Sequence, residues 1–190
     1  MTGHGNDESR PDDILAELAR WSATERVGRA ARERTRLRSL LEQSATEATL
    51  SGLLVDLAES GVEATVSVRG GGRYTGRLSG VGRDLVALDR TAQGPVLVPV
   101  AAVGTVTPAG AGPATWQPGG RRRPPLELTL AGALDVLAAE AAPVTVHVGE
   151  ERITGTVASC GEDLLTVRTD TGPHRAVHVA LGAVTGIELR

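Results

Sequence analysis

The chain has 190 residues, 41% of them hydrophobic, which is enough to bury one large core or two small ones and too much for a wholly disordered protein. Aromatic residues make up 2%, with no Phe, so Tyr74, Trp21 and Trp116 are the whole supply and an extended stacking platform for nucleotide bases is excluded. A net charge of −3 argues against polyanion binding by the whole surface, and the single cysteine, Cys160, excludes an internal disulfide and a cysteine-only metal site.

Met1 to Pro11 is polar with nothing to bury, the composition of a disordered start. Helical patterning begins near Asp12. Ser22-Ala23-Thr24-Glu25 fits a capping box, after which Val27, Ala30, Ala31, Leu37, Leu40 and Leu41 form a narrow apolar stripe on an Arg-rich helix. A second box, Ser44-Ala45-Thr46-Glu47, opens a helix carrying Leu50, Leu53, Leu54 and Leu57, which stops at Ser60-Gly61. Beyond Gly61 the apolar period falls to two, as in strands. Val66 and Val68 alternate, Gly70 to Gly72 turn, Tyr74 to Leu78 alternate again and Gly80 to Asp84 turn once more. Leu85 to Leu88, Val96 to Val100 and Val103 to Val106 complete five short strands. Residues 108–125, with Arg121-Arg122-Arg123-Pro124-Pro125, have the composition of a solvated, partly stiff linker.

A shift of 80 positions lays Thr49, Leu50, Gly52, Leu54, Leu57 and Ala58 on Thr129, Leu130, Gly132, Leu134, Leu137 and Ala138, and Thr65, Val66 and Val68 on Thr145, Val146 and Val148. One deletion after Val68 then brings Arg73, Gly76, Gly82, Asp84 and Leu85 onto Arg152, Gly155, Gly161, Asp163 and Leu164. The organisation expected is residues 1–45 as a disordered start and Arg-rich helical segment, a first repeat at 46–107, the linker at 108–125 and a second repeat at 126–190. Each repeat would be marginal alone, so packing against the other copy or another chain is expected.

The stretch from Arg73 to Val81, followed by Leu85 to Leu88 and Val96 to Val103, resembles the Sm-like proteins, and is also similar to the C-terminal barrel of the ribosome maturation factor RimP. The resemblance implies an α+β chain: a tandem repeat of a helix plus a five-stranded Sm-like or SH3-like barrel, preceded by the N-terminal helical segment. It implies that Gly76 and Gly155 permit the bend that lets a small sheet curl, and that exposed barrel edges pair with neighbours in a homo-oligomer or with a protein partner. Sm-type uridine recognition needs an Asp and an Asn after the bent strand. Gly82, Asp84 and Val86, and Gly161, Asp163 and Leu165, stand there instead.

RNA contact then falls to the arginines: Arg26, Arg29, Arg32, Arg34, Arg36 and Arg38 on the first long helix, and Arg121, Arg122 and Arg123 in the linker. A solvated face, or one paired with the acidic residues of Asp7 to Glu17, accounts for the same pattern. Asp84 and Asp163, in matching Gly-x-Asp turns, read as carboxylates bonding their own backbone. His147, His174 and His178 read as surface histidines, since their spacing with Cys160 matches no compact zinc pattern. No nucleophile, base and orienter assemble from these positions, and no cofactor is expected. The expectation is a cytoplasmic, non-enzymatic Sm-like protein, an RNA-binding or riboregulatory assembly factor or, alternatively, a protein-interaction scaffold without nucleic acid or membrane contact.

Overall fold

The computed structural model describes residues 33, 35–36, 48–110, 125–169 and 176–190. The chain divides into two units, Met1–Thr46 and Glu47–Arg190. In the first, Glu33, Thr35 and Arg36 are helical and exposed. The second carries all of the described sheet.

Helix α1 (Leu50–Ser60) begins at Thr49, whose hydroxyl accepts from the Gly52 N–H at 3.0 Å, and ends at Gly61, whose φ of 63° is the left-handed closing conformation. The box at Ser44 lies outside the described residues, and it does not open this helix as the sequence suggested: Thr49 is extended, so the helix starts after it. Leu54, Val55 and Leu57 of α1 bury against β1 (Glu63–Val68), β2 (Arg73–Val81), β3 (Leu85–Asp89) and β4 (Val96–Pro99). A 3-10 turn at Val100–Ala102 then sends the chain to β5 (Val103–Pro108), which pairs with β1. Strand alternation puts Ala64, Val66 and Val68 of β1 and Tyr74 and Leu78 of β2 inside.

The order recurs in the second half. Helix α2 (Leu130–Ala139) is capped by Thr129, whose hydroxyl accepts from the Gly132 N–H at 3.1 Å. It is followed by β6 (Pro143–Val148), β7 (Glu151–Cys160), β8 (Leu164–Thr169), β9 (Ala176–Ala180), a 3-10 turn at Leu181–Ala183 and β10 (Gly186–Leu189). The register repeats in detail. Val106 lies opposite Val66 as Ile187 lies opposite Val146, the pairing slips once within β2 and once within β7, and Thr65–Thr75 and Thr145–Thr154 hydroxyl pairs bridge the strands.

The expectation of a tandem helix-plus-barrel repeat is corrected at the level of the sheet. The ten strands do not close into two five-stranded barrels. They form one antiparallel sheet in the order β5-β1-β2-β3-β4-β10-β6-β7-β8-β9, open at β5 and at β9. The reason is a choice of ladder partner. After the 3-10 turn β5 crosses to β1, which leaves the outer side of β4 with unpaired N–H and C=O groups, and these are taken by β10 of the other half: Leu97 lies opposite Ile187 and Val96 opposite Glu188. Leu85 and Leu97 accordingly leave the first core and bury in the second, among Leu134, Val146 and Ile187. No helix among the described residues is long and apolar enough to cross a membrane.

Candidate functional site

The junction between the halves is built from the turn after β2, the strand pair β4–β10 and the chain entering α2. Gly82 and Leu85 close the turn with a 2.9 Å backbone bond, and the Asp84 carbonyl accepts from Val100. The Asp84 carboxylate does not bond its own turn, as the sequence suggested. Its Oδ1 accepts from the Leu130 N–H at 2.7 Å, the first residue of α2, where the helix dipole and an orphan donor both favour a negative charge. Alongside, Arg83 N–H donates to Leu128 and Leu126 N–H to Val81. A Cβ on Gly82 would collide with the Leu128 carbonyl. Leu85, 1% exposed, and Leu130, 6% exposed, seal the contact.

The same turn in the second half keeps its internal bonds, Gly161 N–H to Leu164 and Leu181 N–H to the Asp163 carbonyl. Nothing covers it among the described residues. Leu164, the counterpart of Leu85, is 45% exposed, and Leu50, the counterpart of Leu130, is 39% exposed. At His178 an exposed imidazole, bonded to Thr166, stands where Leu97 is buried. The edges therefore carry the two sides of the junction, unmated. Gly76 and Gly155 do the same work in each half: a Cβ would strike the carbonyl oxygen of Asp89 or Arg168 on the neighbouring strand.

A polar cluster crosses the junction on the hairpin side. Arg90 donates to the carbonyls of Gln93 and Gly94, to Gln93 Oε1 and to Glu188 Oε1 at 3.2 Å, so one guanidinium ties the β3–β4 loop to β10. Its Cζ lies 5.7 Å from the centroid of the Tyr74 ring, and Tyr74 meets His147 edge to face at 6.0 Å. His147 Nε2 is 3.3 Å from Glu188 Oε1 but is not aligned for a hydrogen bond. Burial holds His147 below its ordinary pKa against the opposing pull of Glu188, and burial, helped by Glu188, raises that of Tyr74. His147 is thus not the surface histidine expected. The cluster has no second copy: Ile153, Thr169, Ser67 and Thr107 occupy the positions equivalent to Tyr74, Arg90, His147 and Glu188. Sequence reasoning missed it because the repeat comparison rewarded positions that match, and these do not.

Of the nine arginines assigned to RNA, Arg36 is exposed on a helix, and Arg26, Arg29, Arg32, Arg34, Arg38, Arg121, Arg122 and Arg123 lie outside the described residues, as does His174. No group of three or more His, Cys, Asp or Glu able to hold a metal occurs among the described residues. Cys160 is half-buried and its thiol pKa is raised by burial, which disfavours the reactive thiolate. Comparison with family models, with curated proteins and with solved structures found no match to this chain.

Proposed function

We propose that the chain is an assembly protein that joins copies of itself head to tail, β9 and the 161–164 turn of one copy meeting β5 and the start of α1 of the next. The observation that carries this reading is the exposure of Leu164 and Leu50, whose counterparts Leu85 and Leu130 are sealed in the internal junction. The outer contact would repeat the inner one: Thr107 opposite Val177, Val106 opposite His178, and the Asp163 carboxylate on the Leu50 N–H as Asp84 is on Leu130. Such a contact is heterologous, using different surfaces on the two partners, so it propagates until a ring closes or a filament grows. Backbone pairing supplies the affinity and the leucine and carboxylate supply the register.

Sedimentation of the full chain with two edge variants tests this. Leu164→Glu spoils one edge and Leu50→Glu the other, so each alone is expected to sediment as a monomer while the wild type associates. Mixed together they retain one intact pair of edges and are expected to form a single heterodimer. A monomeric wild type at high concentration, or association unchanged by both substitutions, would overturn the proposal.

A further inference from the structure

The cluster at the junction borders a cavity of about 350 Å³ lined by Gly72, Arg73, Tyr74, Arg90, Gln93, His147, Arg152 and Glu188. The lining is mainly polar, which favours a polar occupant. Arg90 and Glu188 neutralise each other across 3.2 Å, so the uncompensated charge comes from Arg73 and Arg152. These two occupy the same position in the two halves, Arg73 as the first residue of β2 and Arg152 as the second of β7. They reach one cavity because the hairpin tips touch: a Cβ on Gly70 would come within 2.8 Å of Gly149 Cα.

Tyr74, 96% buried by its 4% exposure, borders the cavity, while its hydroxyl is closed off against Gly186 and makes no hydrogen bond among the described residues. His147 Nε2 is likewise buried, 3.3 Å from Glu188 Oε1. Gly186 is what admits the phenol, since any Cβ there would occupy the place of its oxygen. Two guanidinium forks that enter one space from the two hairpins call for an acceptor with oxygens in several directions. A tetrahedral oxyanion provides that and a planar carboxylate does not.

We infer that the junction cavity is a binding site for the phosphate group of a small molecule, held between Arg73 and Arg152 beside Tyr74. The site is complete within one chain, so it stands or falls separately from head-to-tail assembly. Its reporter is built in, because Tyr74 is the only tyrosine in the protein. With ring-labelled tyrosine, nuclear magnetic resonance of the full chain shows the signals of that one ring alone, followed during titration with inorganic phosphate, ribose 5-phosphate, unphosphorylated ribose and sodium chloride at matched ionic strength.

Saturable shifts with both phosphates and none with ribose or chloride are expected. Tighter binding of ribose 5-phosphate would place an ester in the cavity, and equal binding would assign it to the free ion. Arg73→Gln and Arg152→Gln alter exposed side chains and leave the core untouched, and each is expected to weaken binding about tenfold or more. The absence of a saturable shift, an equal shift with chloride, or undiminished binding in the Arg73→Gln/Arg152→Gln double variant would overturn the assignment.

Discussion

The turn at residues 82–85 and the turn at residues 161–164 have the same backbone bonds and the same Gly-x-Asp-Leu order, yet Gly82 and Leu85 are buried while Gly161 and Leu164 are exposed. The first meets Leu128 and Leu130 of the chain that follows it. The second meets nothing described. Duplicated elements therefore acquire different energetics from their neighbours alone, and a residue's cost of substitution should track the contact and not the motif.

The largest test of that difference is a pair of truncations. Leu85→Ala empties a site in the second core and is expected to cost about 2–5 kcal/mol in urea unfolding, whereas Leu164→Ala in dilute protein should stay within about 0.5 kcal/mol. Equal costs would erase the distinction between junction and edge. Arg90 comes next. Its buried guanidinium spans the halves through several hydrogen bonds, and Arg90→Ala should lose about 2–3 kcal/mol, while changes at Thr169, its counterpart, should not affect the junction.

Asp84→Ala removes the carboxylate from the start of α2 and should cost about 1 kcal/mol. Asp163→Ala should leave the stability of the dilute chain unchanged and weaken only its self-association. The comparison can also be sharpened by making an edge more like the junction. His178→Leu installs the side chain found at Leu97, and sedimentation should show association tightened by about tenfold, consistent with about 1.5 kcal/mol for burying one leucine.

The smallest effect is that of pH. Because burial lowers the His147 pKa, the unfolded chain takes up a proton below about 6.5 that the folded junction resists, so stability falls as pH drops through that value. Tyr74 acts in the opposite direction: its raised pKa means the unfolded phenol ionises first above about 10, and stability falls again as pH rises. His147→Ser, which copies the residue at Ser67, should flatten the acid side between about pH 5 and 7 in urea midpoints measured against pH.

Much of the local structure was legible. The closing Gly61, the period of two in Val66 and Val68, and the turn glycines all act over a few residues, and each appears where the pattern put it; the caps at Thr49 and Thr129 were not read from it. The duplication was legible for the same reason. Gly76 and Gly155 read as bend positions in the sequence; what the structure shows is that a Cβ at either would strike the neighbouring strand. The candidate site was not. Tyr74, Arg90, His147, Arg152 and Glu188 come from four strands and one loop and show no spacing that draws them together. For Tyr74, Arg90, His147 and Glu188, only departure from the repeat could have marked them.

What the sequence by itself determined is the order and phase of the elements: helix, then five strands, twice, with each apolar face assigned by short-range spacing. The tertiary structure decided which ladders join. An edge strand offers the same row of N–H and C=O groups to any partner, so nothing local distinguishes closure of β4 within its own half from pairing with β10. That choice was made by the fit of Leu85 and Leu97 into the second core and by Asp84 on α2, contacts between residues some 45 or more positions apart, and it is also what left Leu164 and Leu50 uncovered.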